Sequence, residues 1–279
     1  MKILFTQLPI NNTIINNSHK KANVSPAFSA RIPADVFEKK QKSQFDFAKF
    51  GFTSNDAVAI AEFSEFMKCY PDIRRVSLNN LRLLNDKYKD SEKFLNVIYS
   101  QKDKETGNTI FHEADFIVLR EINKTLAPYP DLLSNFYFVR NNQDELPIHK
   151  VNDYPKNERL KEILKVFENN PASVAKMLAS KDSKGKTPYD VVDYKGRRII
   201  HDALKESNPD FLAELYLHHS LNCKNQKETK QSIQGAWDLI TNSDLSIDKS
   251  LELCHNFVQI AGKDYDFSSA IEYLSSLKK

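Results

Sequence analysis

The sequence predicts an all-α protein, a helical repeat solenoid closed by helical caps at its N- and C-terminal ends. Three observations carry this expectation. Apolar residues recur at helical spacing, not strand spacing, over most of the chain. Only six glycines are spread over 279 residues, too few for a turn-rich β fold. Residues 119–149 also lie over residues 160–190 without a gap, at an offset of 41 (160 − 119).

Within that alignment Leu119 falls on Leu160, Ile122 on Ile163, Leu126 on Phe167, Leu133 on Val174, Phe136 on Met177 and Ile148 on Tyr189. Any two amphipathic helices would supply some of these matches. Pro130 on Pro171 and Pro147 on Pro188 are harder to obtain by chance, as are Arg140 on Lys181 and Asn141 on Asp182. Each unit reads as a helix, a short break, a Pro-initiated helix and a polar turn, a length in the range of stacked helical repeats. EKFLNVIYSQKDKETGNTIFH carries a weaker copy upstream, and GRRIIHDALKESNPDFLAELYLHHS another downstream. Four partial or complete units therefore span roughly residues 80–220.

The remaining elements follow in order. Residues 1–45 mix Asn, Ser, Lys and Pro without a sustained period and are expected to form a largely disordered leader, with Phe28, Ile32, Val36 and Phe37 able to dock locally. Residues 46–80 are expected to hold N-terminal capping helices. In TSNDAVAIAEFSEFMKCY, Ser54 or Asn55 is the expected cap, and Pro71 ends that helix and can open the next. Residues 81–220 are the array. Residues 221–279 are the C-terminal cap: a turn-like LNCKNQKETKQS, then three short helices with Trp237, Leu239, Phe257 and Leu274 facing the last repeat.

One stretch narrows the family. Asp182-Ser-Lys-Gly-Lys-Thr-Pro-Tyr-Asp-Val-Val-Asp-Tyr-Lys-Gly196 resembles the core of the ankyrin repeat, D-x-x-G-x-T-P-L-H-x-A-A-x-x-G, with Tyr189 in place of Leu and Asp190 in place of His. GNTIFHEA keeps Gly107, Thr109, His112 and Ala114; LPIHKV keeps Pro147 and His149. The units exceed the usual ankyrin length of ~33 residues, so the resemblance is to a divergent ankyrin array, and another α-solenoid family is the alternative. It implies that Gly closes each turn, Thr caps a helix, Pro-Ile-His opens a repeat's first helix, and the His bonds across to a neighbouring unit.

Chemistry-bearing motifs are sparse. His112 and His149 recur with the repeat, and His201 sits in a similar local motif, so architecture explains them. His218, His219, Cys223, Cys254 and His255 lack zinc-finger spacing, and no metal ligand, catalytic residue or cofactor is assigned. The phosphate-loop, zinc-protease and hydrolase signatures are absent. Cys69, Cys223 and Cys254 form no C-x-x-C pair, which suits reduced thiols. A formal net charge of +3 argues against nucleic acid as partner. No apolar run reaches the ~18–20 residues of a membrane span, and the opening apolar patch is shorter than a secretory signal needs. The expected activity is non-catalytic binding of a protein partner by a monomer, with no nucleic acid and no membrane.

The resemblance places that binding on the turn tips and first-helix faces: Ser183, Lys184, Lys186, Tyr194 and Lys195, with Asn142, Gln143 and Glu145 as counterparts one unit earlier. Basic clusters at Lys20-Lys21, Lys39-Lys40, Arg74-Arg75, Lys181 to Lys186 and Lys195 to Arg198 suggest an acidic partner. Two alternatives accompany this reading. One is a secreted bacterial effector that targets a host protein, since abundant Asn, Lys and Ile suggest an AT-rich genome. The other is an enzyme with a C-terminal active site. The expected location is cytoplasmic, or a host cell after export.

Overall fold

Every regular element among the described residues is a helix and none is a strand, as the apolar spacing predicts. The computed structural model describes residues 45–151, 157–223, 225–242, 245–261, 271–272 and 275–276. Residues 1–44 of the expected leader (with Lys20-Lys21 and Lys39-Lys40), the Phe257 side chain and Leu274 lie outside the described residues, as does most of the third C-terminal helix. None of the described helices is long and apolar enough to cross a membrane.

The chain opens with 3-10 turns at Phe47–Phe50 and Ser54–Asp56, then α1 (Ala57–Met67). Neither Ser54 nor Asn55 caps α1. Asp56 stands at the N-cap position of α1 without a side-chain bond into that helix; its carboxylate closes the preceding 3-10 turn, accepting the Thr53 N–H at 2.7 Å and the Thr53 hydroxyl at 3.1 Å. Pro71 does not open the next helix either. Asp72 accepts the Arg74 N–H and starts a 3-10 turn at Ile73–Arg75, and Ser77 caps α2 (Leu78–Tyr88). Arg74 is no part of a basic surface: its guanidinium binds Asp72 and Asp103 at 2.8 Å each and reaches Glu113 at 3.5 Å. Phe63 stacks on Phe94 at 4.7 Å and meets Phe45, Phe47 and Tyr88 edge-on, so this end is covered by an aromatic cluster.

Next come α3 (Glu92–Tyr99), α4 (Ile110–Glu113), α5 (Phe116–Leu126), α6 (Pro130–Tyr137) and a 3-10 turn at Pro147–Lys150. They are followed by α7 (Glu158–Val166), α8 (Pro171–Ala179), α9 (Pro188–Val191), α10 (Tyr194–Leu204) and α11 (Pro209–Asn222). The two aligned segments thus both run helix, helix and one helical turn, the last being 3-10 at Pro147–Lys150 and α at Pro188–Val191, with Pro130, Pro171, Pro147 and Pro188 each at a first helical position, where the missing N–H costs nothing. Every aligned apolar pair named above is buried at both positions, and each such side chain contributes about 1.5–3 kcal/mol.

The Pro-Ile-His element does not run on into a first helix as expected. It ends after one turn, and α7 begins later at Asn157 with no side-chain cap bond; after the short helices α4 and α9 the next helix starts on its own cap, Asp115 accepting two N–H groups of α5 and Asp193 the Gly196 N–H of α10. Polar bonds join α2 to α5 and α5 to α7, Arg82 to Glu121 at 3.1 Å and Arg120 to Glu162 at 2.8 Å. Tyr99 donates to Asn85 and Tyr137 donates to Asn123; in the aligned segment, 41 residues beyond the second pair, stand Leu164 and Leu178, both buried.

The C-terminal part departs from expectation in its boundaries. α11 runs through Asn222, α12 (Gln226–Asn242) takes in most of the stretch expected to be turn-like, and α13 (Ile247–Ala261) follows. α12 packs along α11, burying Ile233, Ala236, Leu239 and Ile240, with Trp237 half-buried beside them. Leu239 is thus buried and Trp237 half-buried.

Candidate functional site

Three turns, at residues 101–108, 139–146 and 180–187, are built on one plan. A side-chain oxygen at the start of each folds the backbone over itself. Asp103 accepts the Glu105 and Thr106 N–H groups, Asn141 those of Gln143 and Glu145, and Asp182 those of Lys184 and Lys186, all at 2.7–2.9 Å. Bonds from the Thr106 N–H and hydroxyl, then Arg74, hold the Asp103 carboxyl well below the usual carboxylate range. The turn closes through a left-handed residue: Gly107 at φ 71°, Asp144 at φ 56° and Gly185 at φ 74°.

Successive turns are fastened edge to edge. The Asn142 N–H donates to Thr106 O at 2.9 Å, and the Ser183 N–H donates to Gln143 O at 3.0 Å. Arg140 adds a bond to Lys181 O at 2.9 Å, and the Asn142 amide one to Glu105 O at 2.8 Å.

The residue three places beyond Thr109, Leu146 or Thr187 does two things. His112 Nδ1 accepts the Thr109 N–H, and its Nε2 donates to Glu145 O in the next turn at 3.1 Å. His149 repeats this with the Leu146 N–H and Ser180 O. Burial pulls His112 down to about 4 and lowers His149 as well, against backbone acceptors that favour their charged forms. At the third turn Asp190 accepts the Thr187 N–H and hydroxyl at 2.9 Å and binds His219 Nδ1 at 2.9 Å. Burial raises the Asp190 carboxyl, but these bonds and nearby His218 leave it below its ordinary value. His201 is not their counterpart: it lies in α10 and meets the Tyr216 hydroxyl at 3.1 Å.

The structure brings most of the expected contact residues onto this row. Asn142, Gln143, Ser183, Lys184 and Lys186 are exposed on adjoining turns, and Tyr194 and Lys195 are exposed at the start of α10. Tyr194 leaves 69% of its surface in solvent. Glu145 is instead engaged inside its turn, its carboxylate holding the Asn141 amide at 2.8 Å and Lys150 at 3.4 Å. Lys181 and Arg198 are exposed, whereas Arg197 turns inward to Val192 O and lies 4.0 Å from Glu228.

Tyr194 edges a cavity of about 400 Å³ shared by Tyr189, Arg197, His201, Tyr216 and His219. Beyond it, one ring nitrogen of His219, Cys223 Sγ and a Glu228 carboxylate oxygen lie within 4.8 Å of one another. Sequence reasoning considered His219 and Cys223 without Glu228, because the stretch between them was expected to be loop and the partner side chain comes from α12. Cys69 is exposed and Cys254 buried. Comparison with protein-family models, with curated proteins and with solved structures finds no match to this chain.

Proposed function

We propose that residues 81–220 are a divergent ankyrin-like repeat array that binds an acidic protein partner without catalysis. Partner contacts fall on the turn row and the start of α10, through Asn142, Gln143, Ser183, Lys184, Lys186, Tyr194 and Lys195. The observation that carries the reading is the row itself, two backbone bonds and two side-chain bonds that fix neighbouring turns while their tips stay in solvent. A rigid polar row offers contacts that need little ordering on association. Next to it stands an exposed tyrosine, the residue type that dominates binding hot spots, with Lys181, Lys184, Lys186, Lys195 and Arg198 supplying positive charge.

The test is capture with the full chain, compared with a variant carrying Asn142→Ser, Gln143→Ser, Lys184→Ser and Lys186→Ser. The partner retained only by the wild type is then titrated against Tyr194→Ala. The expected loss in affinity is about 30-fold, the size of a 2 kcal/mol hot spot, with an unchanged helical circular-dichroism signal. Equal capture by both proteins would overturn the reading.

A further inference from the structure

We propose that His219, Cys223 and Glu228 bind a divalent transition-metal ion of the zinc type at the junction of α11 and α12. Cys223 Sγ and Glu228 Oε2 are 3.9 Å apart, and all three donor atoms fit within 4.8 Å. Ligands on a tetrahedron with metal bonds of ~2.0–2.3 Å sit roughly 3.3–3.8 Å from one another, so small side-chain rotations close the set. His219 lies in the last turn of α11 and Cys223, four residues on, is the residue that ends it, while Glu228 projects from the first turn of α12.

A second observation points to the same ligand. The His219 side chain keeps only 7% of its surface in solvent. Its Nδ1 faces Asp190 Oδ1 at 2.9 Å, while its Nε2 is buried without a hydrogen-bond partner. Buried polar atoms without partners are rare and ask for an explanation. A carboxylate on one ring nitrogen with the opposite nitrogen left over is the arrangement that orients a metal-bound imidazole. Asp190 is itself held by the Thr187 N–H and hydroxyl, so the orienting group is fixed from α9.

Asp190, His219 and Cys223 are also the residue types of a thiol nucleophile with its base. Glu228 separates the two readings. Cys223 Sγ lies against Glu228 Oε2 at 3.9 Å, an anionic neighbour where an activated thiolate needs a cationic one. A cation between thiol and carboxylate turns that clash into shared ligation: the thiol proton leaves to solvent and the sulfur binds as thiolate. The mixed sulfur, nitrogen and oxygen set selects a zinc-like ion over magnesium or calcium. Arg197, 4.0 Å from Glu228, is the opposing charge. Three protein ligands leave the fourth position to water or to a partner's side chain.

The experiment uses the full chain after chelator treatment, titrated with Zn²⁺ by calorimetry and with Co²⁺ by absorption. Expected are one equivalent bound, a thiolate-to-cobalt charge-transfer band, and a rise in Tm with Zn²⁺. Cys223→Ser abolishes the band and the Tm rise, Glu228→Gln weakens Zn²⁺ at least about tenfold, and Asp190→Asn weakens it about 10–100-fold. Cys223 and Glu228 are not deeply buried, so their variants retain the helical signal, while Cys69→Ser retains the band. No saturable binding in the wild type, or equal binding by Cys223→Ser, would overturn the site.

Discussion

His112, His149 and Asp190 occupy the same place in three successive turns, and what lies beyond each explains the change of residue. Behind the first two, another turn supplies a backbone carbonyl, so a side chain with one acceptor and one donor is needed. Behind the third comes α11, whose last turn offers the His219 ring instead of a carbonyl. There an all-acceptor carboxylate satisfies both sides. The histidines make stability depend on acid. His112 falls from 6.5 unfolded to about 4 folded, so below pH 6.5 the unfolded chain takes the proton first. Stability is complete above about pH 6.5 and declines as pH falls toward 4, by about 3 kcal/mol for this group; His149 acts in the same direction. His112→Asn keeps an acceptor for the Thr109 N–H but cannot titrate. It should cost about 0.5–1.5 kcal/mol at pH 7 through the lost ring bond to the Glu145 carbonyl, which keeps the Asn141 N–H as a second donor, and show a flatter decline in acid. Urea unfolding at pH 7 and pH 4.5 measures both; parallel declines would remove His112 as the titrating group.

At the scale of the element, the three turns share a backbone but not a sequence. Gly107 and Gly185 mark two of them in the letters, whereas Asp144 reaches the same left-handed conformation because a short polar side chain tolerates it. Aspartate is too common elsewhere for that to be legible beforehand. The two glycines also differ in surroundings. A Cβ on Gly185 would meet nothing within 4 Å, but one on Gly107 would sit 2.5 Å from the Asn142 side chain and 2.8 Å from its backbone nitrogen. Gly185→Ala should therefore cost about 1–2 kcal/mol, the strain of the conformation alone. Gly107→Ala adds displacement of the turn-to-turn bonds and should cost at least about 1 kcal/mol more. Thermal or urea unfolding of the two variants side by side checks the order; equal losses would mean that the turns are not locked as described.

Other parts of the elements were readable to different degrees. Proline pairs and apolar matches located α5 to α8 because burial and helix initiation act within a few residues. The Asn85–Tyr99 and Asn123–Tyr137 pairs share a spacing of 14, a recurring polar signal that the apolar alignment passes over. Glu145 shared a turn tip in the alignment, yet its length lets it reach Asn141 and Lys150, which depends on the side chain's path and not on register. The His219–Cys223–Glu228 group depends on where α12 begins. A polar helix start such as Gln-Lys-Glu-Thr-Lys looks like loop until α11 gives it a surface to pack on.

Across the whole described molecule, helices contact their neighbours in chain order: α2 with α5, α5 with α7, α7 with α10, α10 with α11, and α11 with α12. If residues 81–220 are the proposed array, stability is a sum of local terms and neighbour interfaces, and damage should stay near its origin. Leu95 in α3 is fully buried, and Leu95→Ala should remove about 2–5 kcal/mol through the cavity it leaves. Native-state hydrogen exchange then reads where that loss is felt. Amides of α2, α3, α5 and α6 should lose protection, since α3 packs on α2 and α6. Amides of α11 and α12 should keep theirs, because no interface they share has changed. The mirror substitution, Leu212→Ala in α11, should reverse the pattern. A uniform loss at both ends would mean that the helices unfold as one cooperative body, and the neighbour-by-neighbour picture behind the binding row would fall with it.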